Sequence, residues 1–161
     1  MKLYISCDME GTASVCSWQQ CDPDNTTEYP YYRKLMSQEV RAAIDGARES
    51  GATDVLINDS HSSMRNVIWE ELPESGVRLI SGNRKPFSMA EGLDNTYKAA
   101  FFTGYHAPAG EGNGALEHTY TPGSIYNIRI NGMRCSEATL NAAVAGYYGV
   151  PLVLITGDRT T

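Results

Sequence analysis

Short apolar runs alternate with longer segments of helical periodicity along this chain. Runs of strand length lie at Leu3–Cys7 and Val55–Ile57 and within residues 77–81, 98–104 and 152–156. Apolar side chains recur at helical spacing from Arg33 to Gly51, and glycine is a residue type that often ends a helix. Ser136 can cap another helix that continues to about Tyr147. Residues 66–72 indicate a further short helix.

The order of these elements predicts the fold class. Strands that alternate with helices favour an α/β fold, in which helices cover both faces of a mainly parallel sheet and give three layers. One segment departs from this order. Residues 116–121 and 125–131 alternate around Pro122 and Gly123, so we expect an inserted β-hairpin there. Residues 22–32 are rich in turn-forming types, and we expect them to form a loop.

Composition narrows the classes of protein to consider. A length of 161 residues suits a single domain, which we expect to cover residues 1–161. The net charge of −6, without any basic run, argues against a nucleic-acid partner. No apolar run is long enough to span a membrane or forms a signal peptide, so no membrane partner is expected. The four cysteines form no CxxC pair and indicate free thiols, which favours the cytoplasm.

Acidic and imidazole side chains follow three of the predicted strands. Asp8 and Glu10 come after the first strand, His61 after the second, and His106 after the strand within residues 98–104. Because the carboxyl ends of parallel strands meet at one edge of a sheet, we expect these side chains to lie together. Asp8 and Glu10 are two residues apart, so an extended backbone would point both to the same side.

These residue types are suited to binding metal ions. Adjacent carboxylates repel each other unless a cation or a proton neutralises one of them, and carboxylate with imidazole is a zinc-type ligand set. The alternative for Asp8 and Glu10 is a solvated strand end. Glu137 is a candidate fifth ligand, or simply a favourable charge at a helix N-terminus. Five ligands are too many for one tetrahedral zinc. They suit two ions that activate a water for hydrolysis of an amide or a phosphoester.

Five segments stand in order along nearly the whole chain: SCDMEG, VLINDSH, KPFSMAEGLD, FTGYHA and LNAAVAGYYGVPLVLITGD. Together they resemble the D-aminopeptidase family, peptidase family M55. The resemblance implies a cytoplasmic, zinc-dependent aminopeptidase that removes N-terminal D-residues such as D-alanine from short peptides or amides. It also implies a homo-oligomer, which in the family is a ring-shaped decamer, and a C-terminal region that this chain lacks.

The resemblance also implies roles for the candidate residues, with two zinc ions per chain. Asp8 bridges the two ions. Glu10 and His61 complete one site, and His106 and Glu137 complete the other.

His118 matches the family's active-site histidine that is not a metal ligand. It lies in the predicted hairpin and not at the end of a predicted parallel strand. We expect it to serve as an acid–base group or to stabilise the developing oxyanion. The alternative is an exposed hairpin histidine with no role.

Two other functions are compatible with the ligand set. One is a different dinuclear metallohydrolase, such as a phosphoesterase or an amidase, and the other is a non-catalytic metal-binding scaffold. The net charge of −6 and the lack of clustered Arg or Lys count against a phosphate substrate.

Overall fold

Five parallel strands form one sheet at the centre of the molecule. The computed structural model describes residues 1–161. With strands numbered in chain order, the sheet runs β3 (Val77–Ile80), β2 (Asp54–Asp59), β1 (Lys2–Cys7), β4 (Ala99–Tyr105) and β7 (Leu152–Gly157). All neighbouring pairs are parallel. The helices are α1 (Trp18–Cys21), α2 (Tyr29–Glu49) and α3 (Glu137–Tyr147). The predicted α/β class is confirmed.

Apolar side chains cover both faces of the sheet. Leu3 and Ile5 of β1 belong to a buried cluster that includes Val40 of α2. Tyr4 lies on the opposite face, in a second cluster that includes Ala138 of α3. Successive strand residues point to opposite faces, so a strand buried on both sides contains a continuous apolar run, as β1 does from Leu3 to Ile5. The three predicted layers are therefore present, with helices on both faces.

The segment before α2 differs from the prediction. The helix begins at Tyr29 and not at Arg33, with Pro30 in its first turn, where proline is well tolerated. The predicted loop at residues 22–32 therefore contains the start of a helix, and the four-residue helix α1 precedes it. The short helix predicted at 66–72 is a single 3₁₀ turn, Trp69–Glu71.

The inserted hairpin lies elsewhere than predicted. Its strands are β5 (Arg129–Ile130) and β6 (Met133–Arg134), joined by Asn131 and Gly132, which both have positive φ. Residues 116–121 form no strand. Their alternation arises because Leu116 and His118 point into the protein while the backbone forms loop contacts, such as the His118 amide donating to the Ala107 carbonyl at 3.2 Å.

None of the helices combines the length and the apolar character needed to cross a membrane.

The strand order places a crevice above the centre of the sheet. From β1 the chain forms β2 and β3 on one side, then crosses to β4 on the other side of β1. Connections that leave in opposite directions open a crevice at the carboxyl ends of such strands. Asp8, His61 and His106 follow β1, β2 and β4, so all three lie at this edge, as expected from the sequence.

Two glycines let the ends of β1 and β4 approach closely. The Gly11 amide donates to the Gly104 carbonyl at 2.8 Å. A Cβ at Gly11 would lie 1.7 Å from the Tyr105 carbonyl oxygen, and one at Gly104 would lie 2.2 Å from that of Asp8. Gly104 also has φ +68°, a conformation that side chains disfavour. This approach brings Asp8 and the residue after β4 together.

Candidate metal centre

Six titratable side chains converge in the crevice, each less than one-tenth exposed: Asp8, Glu10, His61, His106, His118 and Glu137. They are the six residues predicted from the sequence. They come from the ends of three strands, a loop and the first turn of α3. Burial of so many ionisable groups is unfavourable unless they neutralise each other or bind an ion.

Carboxylates and imidazoles alternate in a closed ring. In order, the ring is Asp8, His61, Glu10, His118, Glu137 and His106, which returns to Asp8. Every neighbouring pair has an N···O distance between 2.9 and 3.7 Å. No two carboxylates are neighbours in this order, which limits their mutual repulsion. We call these six residues the alternating ring.

The first part of the ring joins the ends of β1 and β2. His61 Nδ1 lies 2.9 Å from Glu10 Oε2 and 3.5 Å from Asp8 Oδ1. Its Nε2 lies 2.7 Å from the carbonyl oxygen of Cys21, at the end of α1. Nε2–H therefore donates to that carbonyl, and Nδ1 faces the two carboxylates.

A turn, and not an extended strand, brings Asp8 and Glu10 together. Strand β1 ends at Cys7, and the Thr12 amide donates to the Met9 carbonyl at 3.0 Å. The explanation based on an extended backbone is therefore wrong, although the two carboxylates do share one site.

The second part of the ring joins β4 to α3. His106 Nε2 lies 3.3 Å from Asp8 Oδ2 and 3.5 Å from Glu137 Oε1, while its Nδ1 donates to the Ala107 carbonyl at 3.0 Å. The backbone amide of Tyr120 donates to Glu137 Oε1 at 2.6 Å. Glu137 thus points into the crevice and does not act only as a charge at the helix N-terminus.

His118 closes the ring with its longest contacts. Its Nε2 is 3.7 Å from both Glu10 Oε1 and Glu137 Oε1. Its ring stacks on that of His106, with centroids 3.9 Å apart and planes 9° apart, and meets the edge of Trp18 at 5.1 Å. Nδ1 donates to the Leu116 carbonyl at 2.9 Å. His118 is therefore buried, which excludes the exposed hairpin histidine considered above.

All three histidines share one arrangement. One ring N–H donates to a backbone carbonyl, and the other nitrogen points towards carboxylates. A hydrogen bond of this kind sets the tautomer and orientation of metal-binding histidines.

Donor atoms in the ring fit metal ions. Three groups have ligand atoms within 4.8 Å of one another: Asp8, Glu10 and His61; Asp8, His106 and Glu137; and Glu10, His106 and His118. Asp8 Oδ2 and His106 Nε2 are fully buried and lie 3.3 Å apart, yet neither has a hydrogen-bond partner. Buried polar atoms are normally paired, so these two are available to a cation. Carboxylate oxygen with imidazole nitrogen is a donor set that zinc accepts.

Charge in the ring shifts the protonation of its members. Burial lowers the pKa of His106, but contacts with Asp8 and Glu137 outweigh it and raise the pKa to about 11. Burial also opposes the charge on His61, yet Glu10 and Asp8 raise its pKa well above the ordinary value. Burial raises the pKa of Asp8, but contacts with His106 and His61 lower it to about 2. Without metal, the shifts therefore favour protonated His61 and His106 beside an ionised Asp8.

Five of the six ring residues, all except His106, line a cleft of about 460 Å³. The walls include four residues from α1 and the segment just after it, together with one residue that follows His118: Trp18, Gln19, Asp22, Pro23 and Tyr120. No Lys or Arg lines this cleft. None of these wall residues was predicted from the sequence to have a role. The pair Ser17 and Gln20, which forms a capping box in the structure, is the pattern from which α1 could have been predicted.

Fold and ring together define an α/β protein with a buried site suited to metal ions. Residues 1–161 match the model of peptidase family M55, D-aminopeptidase, so the chain belongs to that family. The D-aminopeptidase of Bacillus subtilis (strain 168) is 44% identical over 165 residues, covering 98% of this chain and 56% of the relative. The predicted family is confirmed.

A solved structure of the Zn-dependent D-aminopeptidase DppA from Bacillus subtilis, described as a self-compartmentalizing protease, superimposes with a TM-score of 0.94 at 42% identity. The match covers 99% of this chain and 57% of the DppA chain. The chain thus spans little more than half the length of these relatives.

Proposed function

We propose that this chain carries the catalytic site of a zinc-dependent aminopeptidase that removes N-terminal D-residues, of the D-alanine type, from short peptides or amides. The observation that carries the proposal is the alternating ring on the floor of a cleft, in a chain of the D-aminopeptidase family. The names of the relatives, a D-aminopeptidase and a Zn-dependent D-aminopeptidase, support the choice of metal and substrate.

The proposed centre holds two zinc ions, with Asp8 as the shared ligand. Glu10 and His61 belong to one ion, and His106 and Glu137 to the other. Two of the three donor groups in the ring have this composition, and Asp8 is the member common to both. When bound, such a pair of ions activates a water and polarises the carbonyl of the scissile bond.

Residues of the chain prepare the site for this chemistry. The Cys21 and Ala107 carbonyls hold His61 and His106 in the tautomers that leave a nitrogen free for metal. The Tyr120 amide fixes one oxygen of Glu137. Burial keeps bulk water away from the carboxylates, which strengthens their electrostatic interactions.

His118 is the proposed acid–base residue. Its Nδ1–H is held by the Leu116 carbonyl, so the proton that can move is the one on Nε2, which faces the ring and the cleft. A proton held there can stabilise the oxyanion or pass to the leaving amine.

The cleft favours a cationic substrate. Its polar wall and floor include Asp8, Glu10, Asp22 and Glu137, and no Lys or Arg side chain lines it. An N-terminal ammonium group suits this negative environment, whereas a phosphate group does not.

A substrate comparison tests the proposal. We expect the zinc-loaded chain to release nitroaniline from D-Ala-p-nitroanilide, with much slower release from the L-Ala compound and none from p-nitrophenyl phosphate. A chelator should abolish the activity, and zinc should restore it. Faster turnover of the phosphate would support a phosphoesterase, and two bound ions without turnover of any substrate would support a scaffold.

We also propose that the chain acts as a homo-oligomer in the cytoplasm. DppA is described as self-compartmentalizing, and the resemblance implies a decamer. All four cysteines are free thiols, which suits a reducing compartment. Light scattering coupled to size-exclusion chromatography tests the assembly, and a monomer at micromolar concentration would contradict it.

A further inference from the structure

A second set of buried polar side chains lies on the same elements as the alternating ring, and one of its members, Ser60, also lines the cleft. Ser6 and Tyr105 are fully buried, and Ser60 and Asn141 are at most 6% exposed. Ser6 Oγ lies 2.8 Å from Ser60 Oγ and 2.7 Å from the Tyr105 hydroxyl oxygen. Asn141 Nδ2 donates to the same Tyr105 oxygen at 3.5 Å. We call these four residues the supporting network.

Each member of the supporting network stands beside a proposed ligand in the sequence. Ser6 is two residues before Asp8, Ser60 directly precedes His61, and Tyr105 directly precedes His106. Asn141 is four residues after Glu137, so both lie on the same side of α3. Every element that supplies a proposed ligand thus supplies one member of the supporting network.

The direction of the contact between Ser6 and Tyr105 is fixed by one acceptor. Ser6 Oγ lies 2.8 Å from the Met89 carbonyl oxygen, which can only accept, so Ser6 donates its single hydrogen there. The Tyr105 hydroxyl then donates to Ser6 Oγ at 2.7 Å. The Ser60 hydroxyl has two acceptors within reach, Ser6 Oγ at 2.8 Å and the Asn58 carbonyl oxygen at 3.1 Å. Ser6 Oγ is therefore the point at which side chains from β1, from β4 and from the residue after β2 meet.

We propose that Ser6, Ser60, Tyr105 and Asn141 are positioning residues that hold the four ligand-bearing elements at the spacing required by two metal ions. The inference rests on the proposed function, because it takes the alternating ring as the metal site. The supporting network contacts no ring side chain through its own hydrogen bonds. It acts instead on the backbone next to each ligand, where a small displacement changes the separation of the donor atoms.

Removal of one hydroxyl tests this inference. Tyr105→Phe deletes the link between Ser6 and Asn141 and leaves the aromatic ring that stacks on Phe102. We expect Co²⁺ affinity to fall by about tenfold or more, the usual effect of removing support from metal ligands. The visible absorption of the bound Co²⁺ should also shift, because the ligand geometry has changed. Both measurements use chain loaded with Co²⁺ alone, without substrate.

Tyr4→Phe is the matched control. Tyr4 is also fully buried, on the same strand and face as Ser6, and its hydroxyl donates only to the carbonyls of Met89 and Glu91. The Tyr4→Phe variant should bind Co²⁺ with the same affinity as the wild-type chain. Equal weakening by both substitutions would show a general effect of core hydroxyl loss and would overturn the proposal.

The remaining outcomes separate this inference from the proposed function. Wild-type affinity and spectrum in Tyr105→Phe would overturn the positioning role and leave the metal site standing. A wild-type chain that binds no Co²⁺ would overturn both. If Tyr105→Phe does not fold, as judged by circular dichroism, Ser6→Ala decides the question. It removes the acceptor of Tyr105 and the contact with Ser60 while keeping the large side chains in place, and the same loss of affinity is expected.

Discussion

Asp8 has the central place among the residues of the alternating ring. Its Oδ1 faces His61 from β2 at 3.5 Å, and its Oδ2 faces His106 from β4 at 3.3 Å. Because β1 lies between β2 and β4, Asp8 is the carboxylate placed between histidines from both neighbouring strands. A substitution at Asp8 therefore acts on both halves of the ring at once.

Asp8→Ala is expected to remove aminopeptidase activity and both metal ions, since a shared carboxylate holds the two ions together. Elemental analysis of the purified chain measures the loss. Asp22→Ala is the control, because Asp22 also lines the cleft but belongs to none of the three donor groups, and it should retain its metals. Full occupancy in Asp8→Ala would contradict the bridging role.

His118→Ala is expected to lower kcat by about 10²-fold or more, the scale of a lost acid–base group or oxyanion donor. Metal content should remain as in the wild-type chain, because the other five ring residues suffice as ligands. Steady-state kinetics and elemental analysis on the same sample distinguish the roles. A metal-depleted variant would make His118 a ligand, and wild-type turnover would leave it without a catalytic role.

Metal binding is expected to release protons. At pH 7 the metal-free chain keeps His106 protonated, with a pKa of about 11, and His61 has a raised pKa as well. Both must lose a proton before a nitrogen can bind metal, so about two protons per chain should leave and affinity should rise with pH. Calorimetry in two buffers with different ionisation enthalpies counts these protons. A release near zero at pH 7 would show that the histidines are already neutral.

The same shifts determine the stability of the metal-free chain. The raised pKa of His106 stabilises the fold fully below about 6.5, the ordinary histidine value, and this contribution is lost as pH rises towards 11. The lowered pKa of Asp8 acts in the opposite direction, so its contribution is lost as pH falls towards 2. The contact between Asp8 and His106 contributes to both shifts, so the two contributions are not independent.

The positions of Asp8, His61 and His106 were predictable from the sequence because a strand end is a local feature. The carbonyls of Cys21 and Ala107, which set the histidine tautomers, were not predictable. A backbone carbonyl carries no side-chain signature, and its direction depends on how a loop folds.

At the scale of elements, the contact between the ends of β1 and β4 determines the geometry of the site. It needs glycine at positions 11 and 104, because a side chain at either would meet the backbone of the other segment. Glycine is therefore required at both positions because two elements lie close together there, and not only because of a local turn.

Gly104→Ala is expected to destabilise the chain by at least about 2 kcal/mol, since it combines a positive φ with a backbone clash. Gly46→Ala is the matched control in α2, where an added Cβ meets nothing within 4 Å. That substitution should stabilise the chain by about 0.5–1 kcal/mol. Urea unfolding of both variants measures the difference. Equal stability of Gly104→Ala and the wild-type chain would contradict the clash.

Elements with a strong local pattern were predicted, and those without one were not. Strands β1, β2 and β4 contain continuous apolar runs because both faces of the sheet are covered. Helix α1 has only four residues, too few to show a period. At residues 116–121 the alternation reflects the burial of Leu116 and His118, and no strand pairing is present. A period of two in the sequence therefore did not distinguish a strand from a loop with buried side chains.

At the scale of the whole molecule, the order of strands brings the site together. The sequence predicts parallel strands, but it does not give their order, because the apolar runs are alike. The central position of β1, between β2 and β4, is what places Asp8 within reach of both histidines. The sequence therefore predicts that the ring residues share one edge of the sheet, but it does not predict which of them come into contact.

The ring residues are far apart in the sequence, and this has a consequence for the rates of folding and unfolding. Its members lie between positions 8 and 137, so the ring is complete only when β1, β2, β4 and α3 are all in place. Zinc should therefore stabilise contacts that the folding transition state has not yet formed, and such contacts slow unfolding with little effect on folding. Stopped-flow measurements give the folding and unfolding rates as a function of denaturant concentration. We expect zinc to lower the unfolding rate and to leave the refolding rate unchanged. Faster refolding in zinc would mean that the ends of these elements meet early.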